Sequence, residues 1–393
     1  MESEKSIYTK PFILMCLSSL LFAASFNMLI PDLPEYLSGL GGAEYKGFII
    51  ALFTLTAGIS RPFSGKLTDR IGRIPVMIVG SMVCLICGFL YPVLTTVSGF
   101  LFLRLIHGFS TGFKPTATAA YIADIIPRQR WGEAVGLHGM AFSLGQAMGP
   151  ALGSYITKIY SIETLFHASS LIALLSVVII IQLKETLVKR ERFKFSLLKI
   201  KKNEIIDRNA IPAGIVVVFA YLSYGTILTL IPDRTTQIGI DNKGLFFILF
   251  TLSSLAARFI AGKVSDKYGR IKVINLGLTA VTFTIIFIGF ADTVFTFTLG
   301  GIFYGLSMGI LSPALNAWTI DLSHPQHRGK AVATMYIALE IGIGGGALLA
   351  GTFYGDELSK IPYIFFFIAA LTSLALIYML SYVKDGKRLA NYN

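Results

Sequence analysis

Five polar side chains recur at helical spacing in one apolar run: Arg104, His107, Thr111, Lys114 and Thr118. At 100° per residue they fall within a sector of about 80°. A charge inside a membrane-spanning helix costs about 2.5–3.5 kcal/mol on insertion scales, so its default reading is functional. The stripe is expected to line a water-filled cavity. Arginine does not release its proton near neutral pH. Arg104 therefore suits a supporting part, biasing a nearby acid or holding a counter-ion. A proton carrier has to be an acid or a histidine. Glu340 lies near the middle of the apolar run 330–353, and Asp32 closes the first run in MLIPDLPEYL. His107 is a third candidate, since an ordinary imidazole changes charge near physiological pH. Lys114 has two readings: it attracts an anionic or zwitterionic cargo, or it pairs with Glu340.

The elements that must position these residues are membrane helices. The chain has 393 residues, 54% of them hydrophobic and only 14% charged, with a mean hydropathy of +0.69. A soluble domain carries about 25% charge, and disorder needs low hydrophobicity, so both classes are excluded. Twelve apolar runs between residues 11 and 383 are each near the ~20 residues a spanning helix needs. With both termini placed in the cytoplasm, 25 Lys and Arg fall in inner segments and 5 in outer loops. That bias orients the chain and accounts for the net charge of +12 without nucleic acid. The basic stretch 184–208 becomes a central cytoplasmic linker near anionic lipid head groups. Cys84 and Cys87 form a C-x-x-C with no second ligand pair and read as small buried hydrophobes.

The chain repeats itself. RPFSGKLTDRIGRIPV, 61–76, stands 197 residues before RFIAGKVSDKYGRIKV, 258–273. Gly65, Asp69, Gly72 and Arg73 thereby map onto Gly262, Asp266, Gly269 and Arg270, and Asp124 maps onto Asp321. The expected architecture is an all-α membrane protein of twelve transmembrane helices in two six-helix bundles related by pseudo-two-fold symmetry. Residues 1–183 form the first bundle, 184–208 the linker and 209–393 the second bundle. A parallel duplication of this kind places a binding site between the halves near the bilayer midplane.

G-x-L-x-D-R-x-G-R after the second span, with a degenerate copy in the other half, resembles the signature loop of the major facilitator superfamily. Arg104, Gly108 and Gly112 resemble that family's fourth-span motif. Gly145, Gly149, Pro150 and Gly153 resemble the fifth-span motif of its proton-coupled antiporters, with Ser154 where the fuller pattern has a second glycine. The resemblance spans essentially the whole chain. It implies a monomeric cell-membrane transporter that exports a small drug-like or metabolite molecule against protons, without a cofactor or metal. It implies that Asp69 faces the start of span 11 near Gly329, and that Arg73, beside Arg70, pairs with Asp124. The repeat adds a mirror set, Asp266 and the pair Arg270–Asp321. The alternatives are an importer or facilitator on the same fold and, from another class, a membrane-embedded enzyme or receptor. No phosphate-binding loop motif is present to couple ATP.

Overall fold

The computed structural model describes residues 7–127, 130–200, 205–324 and 328–390. Part of the expected linker, 201–204, and both chain ends lie outside the described residues. The described chain is helical, with no strand among the described residues.

Contacts divide it into two compact units, one of Met1–Gly42 with Leu52–Lys201 and one of Ala43–Ala51 with Lys202–Asn393. The expected linker is split between them, and the first turns of one helix are counted with the second unit. In the first unit stand α1 (Lys10–Asn27), the short α2 (Leu33–Gly39), most of α3 (Lys46–Arg70), α4 (Arg73–Leu90), α5 (Val97–His107), α6 (Phe109–Ile125), α7 (Trp131–Ile159) and α8 (Ile162–Ile181). The second holds α9 (Ile211–Gln237), α10 (Leu245–Tyr268), α11 (Arg270–Gly289), α12 (Val294–Leu322), α13 (Arg328–Tyr354) and α14 (Ile361–Ala390).

Local chemistry sets the helix ends. Pro11 sits in the first turn of α1, where a missing N–H leaves no bond unmade. Ser161 caps α8 by accepting from Thr164 N, and Thr293 and Thr296 cap α12 reciprocally. The α3–α4 and α10–α11 turns pass through Gly72 (φ 132°) and Gly269 (φ 90°). Only glycine takes those angles without strain. Large apolar side chains stand on the outward faces: Phe259, Ile260 and Phe283 are exposed. A helix apolar all round belongs in lipid or in a large core.

Ten segments among the described residues are long and apolar enough to cross a membrane. The expected spans 98–122 and 132–156 are the two without a counterpart. The first is divided at Gly108 into α5 and α6, each too short alone, although Gly108 itself is helical (φ −59°, ψ −28°). The second is α7, 29 residues long but diluted by glycine, serine and histidine.

Candidate functional site

The polar stripe is buried at all five positions. It faces the interior of the first unit, where Arg104 and Lys114 are each 1% exposed and His107 is fully buried. Periodicity had grouped these side chains correctly but could not say which neighbours they meet. The neighbours are polar enough to replace water. Tyr91, just past α4, is the hub: its hydroxyl accepts from Arg104 Nη1 at 3.3 Å and lies 3.0 Å from His107 Nδ1. His107 Nε2 lies 3.0 Å from Cys84 Sγ, which is 3.4 Å from Ser25 Oγ on α1. The Arg104 guanidinium also stacks over Phe53 at 4.7 Å, a cation–π contact. Cys84 is therefore no mere small hydrophobe. It joins α4 to α5 and α1 through hydrogen bonds, which its apolar sequence context concealed.

Lys114, about two turns past His107 on α6, donates to Ser18 O (2.8 Å), Ser18 Oγ (3.0 Å) and Ser176 Oγ (2.5 Å). Its ammonium also lies 4.5 Å from the centre of the Phe22 ring. An ammonium has three donors, and all three are engaged inside the first unit.

The candidate acids are both buried. Asp32, 5% exposed, precedes α2 and accepts from Ser154 Oγ at 3.3 Å. The serine that departs from the glycine pattern thus reaches a candidate acid on another element. Glu340, 8% exposed, is buried on α13 in the second unit. Asp233, at the end of α9, binds Lys46 at 2.6 Å, and Asp356 binds the same ammonium.

The fifth-span glycines lie where α7 crosses α1. A Cβ on Gly145, Gly149 or Gly153 would run into the carbonyl oxygens of Leu20, Ala24 and Met28 in turn. Their four-residue spacing matches that of the carbonyls, so the two backbones meet along a ridge of small residues. Pro150 lies inside α7 between two of them. In the second unit Gly342 and Gly346 meet Val218 and Leu222 of α9 in the same manner.

At the α3–α4 turn, Arg73 Nε donates to Asp124 Oδ2 at 2.9 Å; at α10–α11, Arg270 Nε donates to Asp321 Oδ2 at 3.0 Å. Asp69 and Asp266 accept from the same arginines, at 3.4 and 2.5 Å. In the glycine pairs, no atom lies close to the Cβ position of Gly65 or Gly262. Sequence reasoning missed what lies over the first turn. Glu185 accepts from Arg73 N (3.1 Å) and Ile74 N (3.0 Å), placing a carboxylate at the positive end of α4. Glu191 pairs with Arg70 at 2.7 Å, and Thr186 donates to Asp124 at 2.6 Å. The first part of the basic stretch is therefore a strap docked by its acids, a signal drowned in sequence by nine lysines and arginines.

The second unit contains a cavity of about 50 Å³ lined by Tyr221, Ser312, Asn316 and Tyr336 among others. That is well below the ~300–1,000 Å³ of a drug-sized ligand site.

Long apolar helices, exposed apolar side chains on their outer surfaces and polar networks enclosed within helical units define a multi-pass membrane protein. The sequence profile of the Major Facilitator Superfamily matches residues 15–213 and 213–391, and the chain belongs to that family of membrane transporters. It is 30% identical over 344 residues to "Multidrug resistance protein 2" of Bacillus subtilis, covering 82% of this chain and 84% of that protein. It is 26% identical over 349 residues to "Multi-drug resistance efflux pump PmrA" of Streptococcus pneumoniae, covering 85% and 87%. In fold it is similar to the inward-open xylose transporter XylE of E. coli, with a TM-score of 0.75, 16% identity and coverage of 94% and 95%.

Proposed function

We propose that this chain is a proton-coupled secondary transporter that exports small organic molecules from the cell by alternating access. In this reading it crosses the cell membrane twelve times, as two pseudo-symmetric six-helix bundles. Both termini are cytoplasmic and it works as a monomer. The observation that carries the direction of transport is the similarity, over more than four fifths of the chain, to two proteins named for multidrug resistance and efflux. The glycine ridge of α7 supports antiport, since it follows the antiporter pattern and serves a close helix crossing. Glu340 is the acid assigned to coupling and Asp32 its alternate, because each is a buried carboxylate within the apolar body. Arg104 acts through the field it exerts inside the first unit.

The test is transport in proteoliposomes with an imposed pH gradient, using ethidium as a cationic probe and fluorescein as an anionic one. Probe movement against its own gradient, opposite to proton flow and abolished by a protonophore, is expected. Movement of probe with the protons establishes a symporter. Movement only down the probe's own gradient establishes a facilitator.

A further inference from the structure

We propose that Lys114 is a proton-binding group of this transporter, an amine that takes up and releases a proton inside the first unit during the transport cycle. The inference rests on the proton-coupled reading above.

Lys114 occupies a packing position that does not need a charge. Gly80 of α4 lies against its backbone: a Cβ there would meet Lys114 N at 2.7 Å and Cβ at 2.8 Å. The second unit repeats this crossing 197 residues on, where a Cβ on Gly277 would meet Leu311 Cβ at 2.9 Å. Leu311 is fully buried, so an apolar residue fills the position in the other copy. The lysine adds an ionisable group to a site that packing alone would fill with leucine.

Its surroundings suit both protonation states. Every hydrogen-bond acceptor of the ammonium is neutral: one carbonyl and two serine hydroxyls. Ser18 Oγ and Ser176 Oγ also lie 2.9 Å apart, with either able to donate. When the amine is charged, both hydroxyls accept from it. When it is neutral, its nitrogen carries a lone pair, and one hydroxyl turns to donate to it. The proton leaves or arrives with no change of helix position and no bonded partner stranded. A fixed carboxylate partner would hold the amine charged, and among the described residues Lys114 makes no ion pair.

The half-buried group nearest to this cluster along α1 is a histidine. His138 on α7 is half-buried, and its Nε2 lies 2.9 Å from Ser19 Oγ, on the residue next to Ser18. The titratable groups whose charge bears on Lys114 are His138 on α7 and Cys84 on α4. Arg104 and His107 of α5 join from the Cys84 side. The α1 and α8 faces contribute Ser18, Phe22 and Ser176, none of which ionises.

The experiment compares wild type, Lys114→Leu and Lys114→Arg in proteoliposomes with ethidium. It records downhill flux, accumulation driven by a pH gradient, and the pH profile of flux. The melting temperature of each purified protein is followed against pH. Leucine is the residue the second unit uses at this position, so Lys114→Leu is expected to fold; Lys114→Met carries the same comparison should it not. Both Lys114→Leu and Lys114→Arg are expected to keep downhill flux and lose gradient-driven accumulation. The pH dependence of melting should differ in shape between wild type and Lys114→Leu. Wild-type accumulation and an unchanged pH profile in Lys114→Leu overturn the proposal while leaving proton coupling intact. A wild type indifferent to the pH gradient, whose melting curve matches that of Lys114→Leu apart from a constant offset, removes both. A merely structural lysine would lower the melting temperature of Lys114→Leu at every pH and leave accumulation per folded molecule as in wild type, which also overturns it.

Discussion

Arg73 donates from Nε to Asp124 at 2.9 Å, and Asp124 accepts from Thr186 at 2.6 Å with its same oxygen. One carboxylate thus fastens the α3–α4 turn and the strap that crosses it. Asp321 has the corresponding arginine, Arg270, at 3.0 Å. Asp124→Asn should therefore loosen more than Asp321→Asn does. The ion pairs themselves are partly exposed and contribute at most about 1 kcal/mol each. The distinguishing readout is limited proteolysis within 184–200, which should accelerate in Asp124→Asn and stay unchanged in Asp321→Asn. Equal cleavage in both would show that Asp124 does not hold the strap.

Glu185→Ala leaves Arg73 N and Ile74 N without their acceptor and removes a negative charge from the start of α4. Loss of such a cap costs about 0.5–2 kcal/mol. A lower melting temperature is expected, with partial recovery in Glu185→Gln, which keeps one accepting oxygen but not the charge. Glu185→Ala melting with wild type would show that the amides find water instead.

Gly149→Val forces α7 away from Ala24 of α1, since a Cβ there already meets Ala24 O at 2.8 Å. Overpacking typically costs about 1–3 kcal/mol. Gly139→Val is the control: it lies on the same helix, but its Cβ position is open. Circular dichroism melts and ethidium flux should separate the two variants, with only Gly149→Val impaired. Equal tolerance would mean that the glycine ridge does not set the crossing.

Tyr91→Phe removes the hydroxyl shared by Arg104 and His107 while keeping the ring that stacks on Phe166 at 5.1 Å. A buried group left without its partner costs about 1–3 kcal/mol. The expected result is a destabilised protein whose gradient-driven transport falls further than its folded fraction. Transport that simply tracks the amount of folded protein would make the network structural.

Glu340→Gln should abolish uphill transport of ethidium yet permit exchange of labelled for unlabelled probe. Exchange needs the conformational cycle but no net proton movement. Uphill activity like wild type in Glu340→Gln would move the coupling assignment to Asp32.

The sequence by itself determined the membrane class, the family and the paired arginine–aspartate loops. These rest on patterns that a single sequence carries: apolar run length, one constant offset of 197 residues, and glycines at fixed spacing. It also grouped Arg104, His107 and Lys114 on one face, because helical periodicity is a local property. Which way that face points is not local. A charge in an apolar run reads the same in sequence whether it turns to water or to a neighbour that satisfies it, and only packing decides between them. Ser18, Ser176 and Tyr91 are ordinary residues in sequence; the crossing of α1, α4, α6 and α8 makes them the partners that keep Lys114 and Arg104 away from water. The strap was hidden for the opposite reason. Its composition is dominated by basic residues, while its docking depends on two acids, Glu185 and Glu191, whose partners lie more than a hundred residues earlier. Long-range pairing of that kind leaves no trace in spacing, so the tertiary structure alone assigns it.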